Sequence, residues 1–195
     1  MINQVDLMNV VDKYRGDAIV VPTMTGTSGW AQVTKKPERD LPVAGAMGKA
    51  SSVALGLALA QPDTKVIVFD ADGSLLMNLG SLVTIAEKEP ANFYHFVLNN
   101  GVYAVTGGQP IPSVDTISFS GIAEAAGYAA SFEFEDLEDF ATRAEEVFNT
   151  TGPVFICVKS VPEIQNEPMA RRQRPAGVRG TKECITDLRE SLGTS

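Results

Sequence analysis

Two short apolar runs end in side chains that could bind a metal and a phosphate. Residues 66–69 (Val-Ile-Val-Phe) lead into Asp70-Ala71-Asp72-Gly73-Ser74, and residues 93–98 lead into Asn99-Asn100-Gly101, with 27 residues between Asp72 and Asn100. Continuous apolar runs of this length predict buried strands. In an open parallel sheet, ligands bind outside the carboxyl ends of the strands. Asp72 and Asn100 offer oxygens to a hard divalent cation. Gly73 and Ser74 open a helical segment whose free amides suit a phosphate. The pattern over residues 65–109 predicts a metal–diphosphate site shared between two strand ends.

The rest of the chain must position those ends. Val5, Leu7, Met8, Val10, Val11 and Tyr14 fall at helical spacing, closed by Gly16-Asp17 ahead of a strand at 18–21. Residues 22–29, rich in hydroxyls and glycine, are expected as a ligand loop at that strand's end. After the solvated stretch 32–40 and the turn Gly45-Ala46-Met47-Gly48, a small-residue helix is expected over about 49–60, suited to close approach of another backbone. Residues 102–115 read as a loop; its Thr106-Gly107-Gly108-Gln109 portion either covers the site or is a surface turn. A short helix at 120–126, a strand at 128–132, an amphipathic helix at 137–148 with acidic residues at its start, and a strand at 154–158 follow. Alternating strands and helices imply an α/β fold: a doubly wound, mostly parallel sheet with helices on both faces.

With 195 residues, 44% of them hydrophobic, the chain suits a single domain over 1–195. Residues 162–195 form a polar tail carrying Arg171, Arg172, Arg174 and Arg179, either a clamp on a partner or partly disordered, with a final helix over about 182–192. The net charge of −8 and pI near 4.7 argue against a nucleic-acid or anionic-membrane partner, so a bound phosphate must rely on amides or metal. Cys157 lies in an apolar run and reads as a buried structural thiol; neither cysteine has metal-ligand spacing. No apolar run reaches membrane-spanning length, and the first residues lack a signal-peptide layout, which leads to the expectation of a cytoplasmic protein. His95, the sole histidine, sits inside an apolar strand and reads as a core residue; Trp30 reads as a core or an interface anchor.

Ala71-Asp72-Gly73-Ser74 followed by Asn99-Asn100 resembles the pyrophosphate-binding (PP) domain of thiamine-diphosphate enzymes, with Ala71 in place of a first glycine. The stretches Gly45-Ala46-Met47-Gly48, Asp72-Gly73-Ser74-Leu75-Leu76-Met77-Asn78-Leu79-Gly80-Ser81 and Asn99-Asn100-Gly101-Val102-Tyr103 with Thr106-Gly107-Gly108-Gln109 are similar to the decarboxylases of 3-phosphonopyruvate and 3-sulfopyruvate. That group includes split enzymes, in which an alpha chain carries the pyrimidine-binding (PYR) domain and a beta chain the PP domain. The length here suits the beta chain.

The resemblance implies thiamine diphosphate and Mg2+ as cofactors, with Asp72, Asn100 and the Val102 carbonyl on the metal. It assigns Gly73, Ser74, Thr25 and Gly26 to the diphosphate, and Gly45, Ala46, Met47 and Tyr103 to the rest of the cofactor. Met47 would prop the cofactor in a bent shape that sets its amino group beside the reactive thiazolium carbon, and the Gly45 and Met47 backbone would hold the aminopyrimidine; these two are the catalytic assignments. Val105 stands where the decarboxylase pattern has serine. The catalytic glutamate belongs to the PYR domain, so a PYR-domain (alpha) partner, a hetero-oligomer and a small 2-oxo acid substrate are implied. A carboligase subunit and a non-catalytic scaffold are the alternatives.

Overall fold

The computed structural model describes residues 1–167, 171, 173 and 175–194. Helix α1 (Gln4–Arg15) starts at Asn3, whose side chain accepts from the amides of Val5 and Asp6. Strand β1 (Ile19–Pro22) follows, then α2 (Met24–Ala31), a 3-10 turn (Pro37–Arg39) and α3 (Ala50–Ala60). Next come β2 (Val66–Ala71), α4 (Asp72–Leu76), α5 (Gly80–Lys88) and β3 (Phe93–Asn99). A small hairpin of β4 (Val102–Tyr103) and β5 (Gln109–Pro110) leads to α6 (Phe119–Ala126), β6 (Ala130–Phe134), α7 (Leu137–Asn149), β7 (Val154–Lys159) and α8 (Thr181–Ser191).

Five strands form one all-parallel sheet in the order β1-β2-β3-β7-β6. Alternate residues feed two cores. Val20, Ile67, Phe69, Tyr94, Phe96, Ile156 and Val158 pack under α1, α2 and α7, while Val21, Val66, Val68, Phe93, Val97 and Phe155 pack under α3, α5 and α6. Both faces are therefore covered, which is why the inner strands read as unbroken apolar runs. The β1 edge is sheltered by residues 40–43, whose Leu41 and Val43 amides donate to Val20 and Pro22 carbonyls. The expected doubly wound sheet is present.

The stretch 22–29 departs from expectation. It is the end of β1 and most of α2, not a loop. Glycine, serine and threonine disfavour helix, yet here two glycines permit tight packing. A Cβ on Gly26 would come within 3.3 Å of the Phe69 Cβ, and one on Gly29 within 3.0 Å of the Met8 sulfur. Tertiary contact outweighs local propensity. The strand expected at 128–132 starts two residues later, because α6 closes on left-handed Gly127 (φ 103°) and the Tyr128 amide turns back to the Ala123 carbonyl.

Trp30 is 1% exposed and stacks near Phe69, so it belongs to the core. His95 is fully buried, its Nδ1 3.1 Å from the Tyr128 hydroxyl and its Nε2 3.6 Å from Asp70 Oδ2. Cys157 is buried, as expected, and Cys184 is too.

In the tail, α8 is docked on the 3-10 turn. Arg179 donates to the Pro37 carbonyl (2.7 Å) and pairs with Glu183 and Asp187, and Arg39 donates to the Ser191 carbonyl. Arg171 is exposed, while Arg172 and Arg174 lie outside the described residues. No helix among the described residues is long and apolar enough to cross a membrane. Helix α3 carries no charge over its whole length and exposes Val53 and Leu59; Met77, directly after α4, and Val83 of α5 are exposed as well.

Candidate functional site

The carboxyl ends of β2 and β3 deliver Asp72 and Asn100 side by side. Asp72 is 1% exposed. Its Oδ1 accepts from the Gly73 amide at 2.6 Å and its Oδ2 from the Gly101 amide at 2.7 Å. Gly101 takes up this contact with φ 78°, a conformation open to glycine. The Asn100 Oδ1 accepts from the Val102 amide at 3.0 Å. Burial pushes the Asp72 carboxyl above its usual range, against the opposing pull of the Gly73, Gly101 and Asn100 amides; nearby Asp70 adds to the rise. A buried carboxylate in this state is favoured by a cation beside it.

No group of three or more His, Cys, Asp or Glu side chains converges on a metal position among the described residues. The donors at this point are one carboxylate, one amide and main-chain oxygens. That is the donor set of a Mg2+ ion that draws its remaining oxygens from phosphate and water. The residues present fit the group.

A cavity of about 40 Å³ adjoins these donors, lined among others by Met24, Thr25, Met47, Asp72, Gly73, Ser74, Asn100, Val102, Tyr103 and Thr106. Gly73 has no room for a side chain, since a Cβ there would lie 2.6 Å from the Tyr103 ring. The Gly45–Gly48 turn is tied in by Ser74, whose Oγ accepts from the Gly48 amide at 3.0 Å, and by Asn78, whose Nδ2 donates to the Gly48 carbonyl at 2.9 Å. Those bonds hold Met47 at the junction with a second cavity of about 440 Å³, which Gly45, Ala46, Val43, Gln165 and Val178 line. Thus Met47, Gly45 and Ala46 face a larger space than Asp72 and Asn100 do.

Not every expected residue reaches the cavity. Gly26 lies behind Thr25, wedged against Phe69 and Leu98, where it serves packing of α2 on the sheet. Ala71, at the place of a glycine in the resemblance, has ordinary extended angles (φ −122°, ψ 151°) and continues β2 in register with Leu98. A methyl group is accommodated there without strain. Asn78 and Gly101 stand in the motifs above without an assigned role, and so, in the stretch 22–29, does Met24, whose φ of 49° at the start of α2 is unusual for a non-glycine residue. Asn78 had a signal, as an asparagine between two helical runs; Met24 had none.

Residues 24–158 match the profile of the family described as "Thiamine pyrophosphate enzyme, C-terminal TPP binding domain". The chain belongs to that family. Among curated members, this thiamine pyrophosphate enzyme domain is 37% identical over 166 residues to a phosphonopyruvate decarboxylase of Streptomyces hygroscopicus, covering 80% of this chain and 41% of that protein. It is 34% identical over 169 residues to sulfopyruvate decarboxylase subunit beta of Methanothermobacter thermautotrophicus, covering 87% of this chain and 88% of that one. The chain therefore spans less than half of the first relative and nearly all of the second. A solved structure from Mycobacterium smegmatis, described as that of a thiamin diphosphate-dependent enzyme, superposes with a TM-score of 0.71 at 22% identity, over 83% of this chain and 32% of that one. That likeness speaks for the fold.

Proposed function

We propose that this chain is the PP (beta) subunit of a two-component 2-oxo acid decarboxylase that depends on thiamine diphosphate and Mg2+ and acts on sulfopyruvate or phosphonopyruvate. One observation carries the reading: Asp72, Asn100, Gly73 and Ser74 converge on a single cavity that Met47 also lines. The near-complete span of a sulfopyruvate decarboxylase subunit beta supports the two-component form.

In this reading residues 1–195 are one PP domain with 162–195 as its tail. Asp72 and Asn100, with the Val102 carbonyl, would hold Mg2+. The amides of Gly73 and Ser74 would face the diphosphate from one side and Thr25 from the other, while Tyr103 covers Gly73. The Gly45–Met47 backbone and the Met47 side chain would orient the remainder of the cofactor in the larger cavity. Thiamine diphosphate, when bound, supplies the electron sink for loss of CO2 from a 2-oxo acid. The glutamate needed for proton movement comes from a PYR-domain (alpha) subunit, so the working enzyme is a cytoplasmic hetero-oligomer and the isolated chain turns over little.

The test is co-purification with a PYR-type chain. CO2 release from sulfopyruvate or phosphonopyruvate should require thiamine diphosphate and Mg2+, and Asp72→Ala should abolish cofactor binding. Absence of activity on any 2-oxo acid, or unchanged affinity in the variant, refutes the reading. A carboligase role has support of its own, since the chain is 31% identical over 147 residues to the acetolactate synthase isozyme 1 large subunit of Escherichia coli. Analysis of the products separates the two. A scaffold role would leave calorimetry with thiamine diphosphate and Mg2+ blank even with the partner present.

A further inference from the structure

We propose that Lys159 is a positioning residue for the Asp72 carboxylate, acting through the side-chain amide of Asn99. The inference rests on the metal-site reading above and deepens it. Lys159 ends β7 directly opposite Asn99 at the end of β3. Its main chain is pinned there, its carbonyl accepting from the Ile2 amide at 2.7 Å, while the next amide, Ser160, donates to the Asn99 carbonyl at 3.0 Å.

The Asn99 side chain is 6% exposed and lies between a carboxylate and an ammonium group. Only one orientation of its amide satisfies both. The nitrogen then donates to Asp72 Oδ2 at 3.2 Å, and the oxygen accepts from Lys159 Nζ at 3.2 Å. The reverse orientation would set the amide oxygen against the carboxylate and the NH2 group against the ammonium. Beyond Lys159 lie Glu133, 3.9 Å away, and Ser120, whose hydroxyl donates to Glu133 at 2.7 Å. Lys159 Nζ is within hydrogen-bonding distance of the Asn99 oxygen (3.2 Å) but not of Glu133 (3.9 Å), with which it forms only a long ion pair.

The geometry at Asp72 gives this contact its effect. Oδ2 receives the Gly101 amide on one side and the Asn99 amide on the other, and these two residues flank Asn100 in the chain. Both bonds therefore fix Asp72 relative to the second metal donor. Without a cation at position 159 the Asn99 amide oxygen loses its partner, and the amide loses the contact that holds its nitrogen against Asp72. Oδ2 then keeps only the Gly101 amide as a fixed bond, and the carboxylate is less firmly set relative to Asn100. Partners of metal ligands of this kind are worth about 10- to 100-fold in metal affinity.

The experiment uses the full chain purified with its PYR-type partner, titrated with Mn2+ in the presence of thiamine diphosphate and followed by electron paramagnetic resonance. Lys159→Met should raise the half-saturating Mn2+ concentration about 10-fold or more, and Lys159→Arg should restore most of the loss. Asn99→Ala should weaken metal binding as well, and adding Lys159→Met to it should do no further harm, because the route through the amide is already gone. Lys159→Cys provides a second route if the methionine variant does not fold, with aminoethylation of that thiol returning the ammonium and the affinity. Wild-type metal affinity in Lys159→Met overturns the proposal, as does an undiminished effect of that substitution in the Asn99→Ala background; in both cases the metal-site reading stands. Absence of thiamine-diphosphate-dependent Mn2+ binding in the wild-type complex overturns both.

Discussion

Gly73→Ala isolates one contact at the centre of the site. The added methyl would lie 2.6 and 2.7 Å from two ring carbons of Tyr103. Real carbon contacts do not reach such distances, so the ring or α4 must move. Overpacking of this kind costs about 1–3 kcal/mol. Alanine in place of glycine inside a helix returns at most about 1 kcal/mol. Gly73 has no left-handed backbone to complicate the comparison. The steric term wins, and the net loss should be about 1–2 kcal/mol, or roughly 2–8 °C in Tm for a chain of this size. Urea unfolding of four proteins decides the cause: wild type, Gly73→Ala, Tyr103→Ala and the pair. With the ring gone, Gly73→Ala should be neutral or slightly stabilising. An equal loss in the Tyr103→Ala background would refute the steric account.

Gly152→Ala should be far more harmful, because its Cβ would meet the carbonyl oxygens of Pro90, Phe93 and Ala91 at 2.7–3.0 Å, and backbone cannot step aside; the expected readout is loss of soluble protein. Asn78→Ala removes the bond that holds the Gly48 carbonyl and should cost about 0.5–1.5 kcal/mol, with a weaker thiamine diphosphate affinity measured by calorimetry. Burial pushes the Cys157 thiol up to about 12, so a disulfide exchange reagent at pH 8 should leave it untouched until the chain is unfolded. The same burial raises Cys184, Tyr94 and Tyr128. A group whose folded pKa exceeds its unfolded value contributes stability that fades as pH climbs above the unfolded value. The urea midpoint should therefore fall as pH rises above the ordinary thiol value of 9.0, and a midpoint that holds steady to pH 11 contradicts this.

The parts of the fold that are written in the sequence are those fixed by local pattern. Strands β2, β3 and β7 are buried on both faces, so each appears as an apolar run, and Asp72 and Asn100 follow at their ends. Helix α2 was not legible, because its case rests on Gly26 and Gly29 meeting Phe69 and Met8, residues distant in the chain. The role of Asn99 was hidden for a similar reason. Its orientation depends on Lys159, 60 residues later, and only the β3–β7 register brings them together. Residues 70 and 72 look alike in the sequence as paired aspartates. Asp70 still belongs to β2 and points to His95 in the interior, whereas β2 ends at Ala71 and Asp72 opens α4 at the site.

The uncharged helix α3 has a consequence for the colloidal behaviour of the isolated chain. Val53 and Leu59 of that helix, together with Met77 and Val83, are exposed apolar side chains on a molecule that carries a net charge of −8. Repulsion between like-charged molecules helps to keep such side chains apart, and at physiological salt it reaches only about 8 Å. Added salt shortens that reach and leaves the apolar attraction in place. Preparations of this chain alone should therefore stay better dispersed in dilute buffer than in added salt, and light scattering across a salt series checks this.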